Sequence, residues 1–213
     1  MEFTSVIERY VTAHSQPQDE VLAWLERETH YRTVHPRMLC GEPMGTFLTF
    51  WVQLMRPSRI LEIGTFTGYS AICLARGLDA NSQGLDTIEI FDEHQALIQE
   101  AFARSGMAPR IRTHWGDALQ VIPQLGPGPF PLVYMDGNKR EYGAYYDLVK
   151  PLVPKGGYIL ADNVLWDGKV ADDTQRDAQT SGIRAFNKKV QEDPDVTNVL
   201  LPLFDGLMII QRN

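Results

Sequence analysis

One segment, residues 60–70 with the sequence ILEIGTFTGYS, constrains the fold more than any other part of the chain. Its first four residues are an apolar run typical of a short buried strand, although Glu62 interrupts that run. Gly64 and Gly68 then bracket a tight turn, and Ser70 opens an amphipathic helical pattern. This succession is typical of a nucleotide-binding corner, because glycine lets the backbone approach a ligand and the helix N-terminus offers free N–H groups.

The acidic residue in this corner restricts which nucleotide can bind. A carboxylate such as Glu62 at a strand tip repels a pyrophosphate, but it attracts a cation such as an amino group or a sulfonium. The corner therefore favours S-adenosylmethionine (SAM) over NAD. A dinucleotide oxidoreductase, the main alternative class, would carry G-x-G-x-x-G, whereas this chain has G-x-x-x-G with an acid two residues before it.

The bulk properties describe an ordinary soluble protein. A length of 213 residues predicts a single domain over 1–213. The net charge of −7 disfavours a dedicated nucleic-acid binder.

Two distant cysteines, Cys40 and Cys73, do not form a disulfide framework, so a reducing compartment is the simpler interpretation. The N-terminal segment lacks a signal-peptide core and no apolar run reaches membrane-spanning length, so we expect a cytoplasmic protein without membrane contact.

The pattern along the chain changes near residue 59. Residues 1–56 have helical spacing, with Asp19 as an N-cap, Pro43 at a helix start and Pro57 beyond a helix end, and we expect these helices to pack on the domain. Beyond them we predict strands at 60–63, 86–90, 110–114, 131–136, 157–162, 196–201 and 206–211, and helices at about 69–77, 93–105, 119–125, 142–152 and 181–191. This alternation predicts a doubly wound α/β fold with a mostly parallel seven-stranded sheet. Residues 202–205 are too few for a crossover, so the last strand should be antiparallel. Residues 166–180 are rich in polar residues and glycine, which predicts a mobile loop beside a site.

Acidic residues stand at the ends of several predicted strands. In open parallel sheets, ligands bind beyond the carboxyl ends of the strands. Glu89 could therefore accept hydrogen bonds from ribose hydroxyls, and the loop of Gly116, Asp117 and Ala118 could admit a flat base. The alternative is that each acid is solvated or caps the next helix; for Asp117 alone we favour that alternative, and for Glu89 we weigh the two equally.

A second group of polar residues supplies only oxygen ligands. Asp136 ends the fourth predicted strand, and Asp162 and Asn163 end the fifth. Such a set suits Mg²⁺ or Ca²⁺ and not a structural zinc. The equally weighted alternative is an Asx-turn at Asp162, with Asp136 paired to a lysine.

Lys139 follows Asp136 by three residues in the sequence DGNKREY. A lysine near a metal ion loses its proton more easily and could act as a general base towards a substrate hydroxyl. The alternative, which is more common for an isolated lysine, is a surface side chain facing Asp136 or Glu141.

Five motifs in order then identify a family resemblance: LEIGTFTGYS, IEI, GDA, MDGNKREY and LADNVLWDGKV. Together they resemble the cation-dependent O-methyltransferases, which include the catechol and caffeoyl-CoA O-methyltransferases and small bacterial relatives. The resemblance covers residues from about 38 to 211 and is strongest to the bacterial branch. It implies a Rossmann-like fold and a SAM-dependent transfer of a methyl group to a hydroxyl with the help of Mg²⁺.

The resemblance also implies a role for individual residues. The methionine part of the donor would contact Glu62, Gly64, Ser70 and the backbone near Met38 and Cys40. Glu89 would bind the ribose, and Gly116, Asp117 and Ala118 would contact the adenine. The metal would be held by Asp136, Asp162 and Asn163. Asp136 would also contact the donor and act in catalysis, and Lys139 would be the base.

The acceptor implied by the resemblance is a small aromatic or phenolic compound with vicinal hydroxyls. Two departures weaken the case for a catechol-specific pocket. Gly137 and Asn138 stand where the animal catechol enzymes have bulky residues, and their glutamate near the C-terminal strands has no counterpart in LLPLFDGL. Trp166 could line the acceptor pocket or simply pack under the loop.

The alternative acceptor is a hydroxylated uridine in tRNA, which the acidic composition disfavours. Four basic residues near the predicted loop could nevertheless form a local basic face: Arg176, Arg184, Lys188 and Lys189. Side chains that point to solvent would favour tRNA, and side chains paired within the chain would disfavour it.

A non-catalytic binding module would not need the metal set. The apolar N-terminal helices could form a homodimer contact.

Overall fold

The central sheet has the strand order β3-β2-β1-β4-β5-β7-β6. The computed structural model describes residues 2–213, and of the side chains all but those of residues 1–5 and 8. The strands are β1 Ile60–Ile63, β2 Leu85–Glu89, β3 Ile111–Trp115, β4 Leu132–Met135, β5 Tyr158–Asp162, β6 Val196–Leu201 and β7 Leu207–Arg212. The helices are α1 Glu2–Ala13, α2 Glu20–Arg32, α3 Glu42–Met55, α4 Tyr69–Gly77, α5 Gln95–Arg104, α6 Ala118–Val121, α7 Tyr142–Val149 and α8 Ala178–Gln191.

The sheet topology confirms the predicted fold class. Strands β1 to β5 are parallel to one another, whereas β7 lies between β5 and β6 and is antiparallel to both. The chain order reverses between β1 and β4, and such a reversal opens a ligand-binding crevice at the carboxyl ends of the strands. Residue Ile63 pairs with Met135, and Met135 pairs with Ala161, so the ends of β1, β4 and β5 are level.

The predicted strand boundaries agree with the structure to within one residue, but the helix boundaries agree less well. The helix predicted at 119–125 divides into α6 and a 3₁₀ turn at Ile122–Gln124. Helix α8 begins at Ala178, three residues before the predicted start, because Asp177 accepts hydrogen bonds from the backbone N–H groups of Gln179 and Thr180. Residues 178–180 of the predicted loop are therefore helical.

Two apolar layers enclose the sheet. Helices α2 to α5 contribute to the core on one face, and α6 to α8 contribute to the core on the other. The N-terminal helices also make polar contacts with α4 and the turn before it. Asp19 caps α2 as expected and forms an ion pair of 2.6 Å with Arg76, and the buried hydroxyls of Thr29 and Thr67 lie 2.9 Å apart. Within residues 2–213, no helix combines the length and the apolar character needed to cross a bilayer.

Candidate functional site

The turn after β1 and the end of β4 are in direct backbone contact. The N–H of Asp136 donates a hydrogen bond of 2.8 Å to the carbonyl of Ile63. Gly64 has a φ of +100°, and a Cβ atom there would lie 2.4 Å from the carbonyl oxygen of Asp136. Gly68 has a φ of +95°, and a Cβ atom there would lie 2.7 Å from the ring of Phe102. Both glycines are therefore required by the close approach, as the sequence indicates.

Glu62 is fully buried and has an unused acceptor atom. Its Oε2 accepts a hydrogen bond of 2.5 Å from Thr87, whereas Oε1 has no partner among the described residues. Burial raises the pKa of Glu62 to about 7, against the opposing effect of the Ser70 and Thr87 hydroxyls, and the negative charge of Asp136 adds to the increase. A buried carboxylate oxygen without a donor is costly, so this atom suits an ammonium or another cationic donor.

Glu89 is fixed at the end of β2 by two backbone donors. Its carboxylate accepts hydrogen bonds from the N–H of Phe66 at 2.7 Å and from the N–H of Phe91 at 2.9 Å. The side chain is 7% exposed. A carboxylate can accept about four hydrogen bonds, so acceptor capacity remains for a ligand that carries hydroxyl groups.

The loop after β3 lies against the end of β2. The N–H of Gly116 donates a hydrogen bond of 2.8 Å to the carbonyl of Glu89, and Gly116 has a φ of +137°. Asp117 accepts a hydrogen bond of 2.9 Å from Leu119 and so caps α6, which agrees with its structural interpretation. Ala118 is buried at the start of that helix. The loop is thus next to Glu89, as the sequence predicts.

The segment before α3 contributes two further predicted residues. Met38 is 58% exposed, whereas Cys40 is half-buried. Burial raises the pKa of the Cys40 thiol, and the nearby groups of Cys73, Asp162 and Asp136 raise it further. The thiol is therefore close to the acidic residues of the site and is not activated as a nucleophile.

The two aspartates of the oxygen set stand at the ends of adjacent parallel strands. Asp162 is buried, and its carboxylate accepts hydrogen bonds from the Tyr134 hydroxyl at 2.6 Å and from the Asn163 N–H at 2.8 Å. Burial, followed by the charge of Asp136, raises the pKa of Asp162 to about 6. Asn163 has a φ of +57°, a left-handed conformation that asparagine tolerates better than most residues.

Lys139 is buried and is not a surface lysine. Its Nζ donates hydrogen bonds of 2.6 Å to both Asp136 Oδ1 and the Tyr142 hydroxyl. That hydroxyl also lies 2.9 Å from the carbonyl of Asp162. Tyr142 and Tyr134 are not among the site residues predicted from the sequence. The spacing of three residues from Lys139 could have revealed Tyr142, but Tyr134 lies within an apolar strand that carries no such signal.

The charges of this region fit a cation. The carboxylates of Asp136 and Asp162 lie near Lys139 Nζ, and the carboxylate of Glu62 lies near that of Asp136. Within the described part of the chain, no group of three or more His, Cys, Asp or Glu side chains could hold a metal ion. The predicted set has two carboxylates, and its third member is an amide, that of Asn163. Two carboxylates that repel each other beside an amide oxygen suit a hard divalent cation.

Most of the basic side chains near the predicted loop are paired within the chain. Arg184 donates to backbone carbonyls of residues 169–175, Lys189 pairs with Asp147 at 2.5 Å, and Lys188 lies 3.8 Å from Glu192. Arg176 is exposed. Residues 166–177 thus form a loop as predicted, but its mobility stays a prediction.

Comparisons with known proteins give one consistent result. A family model described as O-methyltransferase matches residues 12–213. A catechol O-methyltransferase from Niastella koreensis is 33% identical over 182 residues, which is 82% of each protein. The O-methyltransferase TomG from Streptomyces achromogenes, involved in tomaymycin synthesis and crystallised with SAM, superposes with a TM-score of 0.90 at 30% identity, covering 98% of this chain and 96% of that one. An O-methyltransferase from Bacillus cereus, in complex with SAH, has a TM-score of 0.88 at 28% identity, with 98% and 97% of the two chains covered.

These matches extend over nearly all of the fold and include every strand that contributes to the site. They agree with the resemblance seen in the sequence motifs and not with a dinucleotide oxidoreductase. The chain therefore belongs to the O-methyltransferase family.

Proposed function

We propose that this protein transfers a methyl group from SAM to one hydroxyl of a small aromatic or phenolic acceptor with vicinal hydroxyls, and that it uses Mg²⁺. One observation carries the proposal: the turn that follows buried Glu62, with its free oxygen, contacts the end of β4 at Asp136, and Asp162 ends the adjacent strand β5. This arrangement provides a donor half and an acceptor half. The SAM bound in TomG and the similarity to the catechol O-methyltransferase of Niastella koreensis support the same activity.

The donor half would bind SAM along the ends of β1, β2 and β3. Glu62 would accept a hydrogen bond from the donor's ammonium, next to the turn of Gly64 and to Ser70. Glu89 would accept from the ribose hydroxyls, because its carboxylate is already oriented by two backbone donors. The adenine would contact Gly116, Asp117 and Ala118, while the backbone near Met38 and Cys40 and the side chain of Asp136 would complete the donor site.

The acceptor half would use the residues at the ends of β4 and β5. Asp136, Asp162 and Asn163 would hold the divalent cation, which when bound lowers the pKa of the acceptor hydroxyl and orients it. Lys139 in its neutral form can take the hydroxyl proton at Nζ, which Asp136 and Tyr142 hold in place. As the bond from oxygen to the methyl carbon forms, the bond from sulfur to that carbon breaks and the sulfonium charge is lost.

A small acceptor is favoured over tRNA 5-hydroxyuridine. Arg184 donates to loop carbonyls and Lys189 pairs with Asp147, so both are engaged within the chain, whereas Lys188 is 73% exposed and 3.8 Å from Glu192. This leaves little of the basic surface that an RNA backbone requires. The net charge of −7 also disfavours binding to the negatively charged RNA backbone.

Homodimer formation and a cytoplasmic location are further parts of the proposal. Apolar side chains are exposed on two N-terminal helices: Val6, Ile7, Tyr10 and Val11 on α1, and Phe50 and Leu54 on α3. Burial of these side chains between two copies would be favourable. Both cysteines are free, as a reducing compartment requires. Light scattering on the purified protein tests the dimer, and a monomer mass at micromolar concentration would contradict it.

The activity is tested with labelled SAM, a catechol panel and undermethylated tRNA. We expect methylated catechol, no labelled tRNA, loss of activity in EDTA and recovery on addition of Mg²⁺. Full activity in EDTA would refute the metal, and labelling of tRNA alone would refute the acceptor class. Asp162→Ala should retain SAM binding and lose turnover; a variant that turns over normally would contradict a role for this carboxylate.

A further inference from the structure

The side chain of Arg184 on α8 binds a single loop through backbone carbonyls. Its Nε donates to the carbonyl of Val170 at 2.9 Å, Nη1 to that of Gln175 at 2.6 Å, and Nη2 to those of Lys169, at 2.7 Å, and Asp172. A guanidinium has five N–H donors in a planar fork, so most of its capacity is used on this one segment.

This loop, residues 164–177, has little regular structure of its own. Trp166, Asp167 and Gly168 are consecutive residues in the left-handed region, with φ values of +51°, +54° and +74°. A short 3₁₀ turn at Lys169–Ala171 is the regular element within these described residues. Such a backbone is held by its contacts with other elements and not by its own ladder of hydrogen bonds.

The start of the loop is held by the turn between β6 and β7. The backbone N–H of Asp167 donates to Asp205 Oδ1 at 2.6 Å, and the N–H of Leu165 donates to the Asp205 carbonyl at 2.9 Å. A Cβ atom on Gly206 would lie 2.8 Å from the Leu165 nitrogen, so this contact is close. The Asp205 turn therefore restrains the first residues of the loop, whereas Arg184 restrains residues 169–175.

The position of the loop links it to the acceptor half. It leaves β5 directly after Asn163, at the sheet edge where ligands bind in this architecture. The half-buried indole of Trp166 packs against the core, and its N–H has no partner among the described residues. Helix α8 also lies behind Lys139, because a Cβ atom on Gly182 would be 2.8 Å from the Lys139 carbonyl oxygen. One helix thus supports both the lysine and the loop.

We propose that Arg184 is a positioning residue that holds residues 164–177 as the wall of the acceptor site and thereby sets acceptor affinity and selectivity. This inference rests on the proposed function, since it needs the acceptor beside Asp162 and Asn163. Because Arg184 bonds to the loop and not to the donor half, its loss should weaken the acceptor complex and leave donor binding unchanged.

The test compares Arg184→Gln and Arg184→Lys with Arg212→Gln. Arg212 is a matched control, since its Nη1 also donates to backbone carbonyls, those of Lys150, at 3.1 Å, Pro151, at 3.3 Å, and Val153, but on a different segment of the chain. For each variant we would measure KM and kcat with a catechol, the Kd of SAH by calorimetry, and the rate of tryptic cleavage after Lys169 and Arg176.

For Arg184→Gln we expect the acceptor KM to rise about tenfold, which corresponds to one lost charge-assisted hydrogen bond. Cleavage within the loop should be faster and the Kd of SAH unchanged. Arg184→Lys should recover part of the KM, because an ammonium reaches fewer carbonyls than the fork. Arg212→Gln should change neither KM nor cleavage in the loop.

Three results would overturn the proposal. The first is a KM for Arg184→Gln equal to that of the wild type, and the second is an SAH Kd that rises in parallel with KM. The third is an equal KM effect in Arg212→Gln, which would indicate a general loss of structure. Absence of catechol turnover in the wild type would instead refute the proposed acceptor, and with it this role.

Discussion

A buried ion cluster on β2 allows a quantitative test of what stabilises the fold away from the site. Asp86 is 1% exposed and accepts hydrogen bonds from Arg59 at 2.8 Å, from Arg112 at 2.8 and 3.0 Å, and from His114 at 2.8 Å. Burial alone would raise the pKa of Asp86, but these donors outweigh it and hold the pKa well below its usual range. The cluster joins β1, β2 and β3 through one carboxylate.

Asp86→Asn removes the charge and places an amide NH₂ against a guanidinium. Breaking a buried ion pair costs roughly 3–5 kcal/mol. The side chains of Arg59 and Arg112 are 17% and 48% exposed and can regain water, so we expect the lower end, about 3 kcal/mol. For a chain of this size each kcal/mol shifts Tm by roughly 2–4 °C, so the variant should melt about 6–12 °C lower at pH 7 in calorimetry.

The pH dependence has a definite sign. The pKa of Asp86 is lower in the native state than its unfolded value of about 3.9, so its stabilising contribution is fully present above that value and is lost as the pH falls through the native pKa. The difference in unfolding free energy between wild type and variant should therefore be smaller at pH 3 than at pH 7, with the decrease beginning below about pH 4.

The control is Glu100→Gln, which breaks a surface ion pair with Arg104 of 2.7 Å and should cost less than about 1 kcal/mol. Equal losses in Asp86→Asn and Glu100→Gln would refute the reasoning, because burial would then not determine the contribution. A difference between wild type and Asp86→Asn that is as large at pH 3 as at pH 7 would refute it as well.

Three further predictions concern the site. Glu62→Gln should weaken SAH binding about tenfold in calorimetry. The affinity of the wild type for SAH should rise between about pH 6 and 7.5, because Glu62 ionises through its raised pKa of about 7. A similar rise in the variant would contradict this assignment. Gly64→Ala should lower both the urea midpoint of unfolding and the affinity for SAH, because the added Cβ would lie 2.4 Å from the carbonyl oxygen of Asp136. Wild-type values in both assays would show that the backbone can move apart at this contact without cost. Tyr134→Phe, which removes the 2.6 Å hydrogen bond to Asp162, should raise the Kd of Mn²⁺ about tenfold, as loss of an outer-shell partner does. Tyr146→Phe is its control, because it loses a partly buried hydroxyl–carboxylate hydrogen bond to Asp193, away from the site. Identical Mn²⁺ affinities in the two variants would exclude the effect.

The sequence predicts local features of this fold well. The capping by Asp19, the position of Pro43 in the first turn of α3, and the glycine turn at Gly64 and Gly68 all occur as expected. These features depend on neighbours within about one turn of the chain, so residue type and spacing are sufficient to identify them. The strand boundaries follow for the same reason, whereas α8 starts three residues before the predicted position because Asp177 caps it.

The composition of the candidate site is also partly predictable. Parallel strands bring their carboxyl ends to one edge, so Glu62, Glu89, Asp136 and Asp162 had to lie near one another once the alternation of strands and helices was recognised. The sequence left open whether Lys139 lies on the surface. Only packing against α8 decides this, because burial depends on segments that are distant in the chain.

Sequence alone determined the fold class, the glycine turn and the acidic residues at the strand ends. The tertiary structure decided which polar groups meet: Arg184 with the loop carbonyls, Tyr134 with Asp162, and Arg59 and Arg112 with Asp86. Each of these contacts joins residues 9 to 28 positions apart. Periodicity reports which face of an element is apolar, but a hydrogen bond needs an atom within about 3 Å, and that distance is set only when the elements pack.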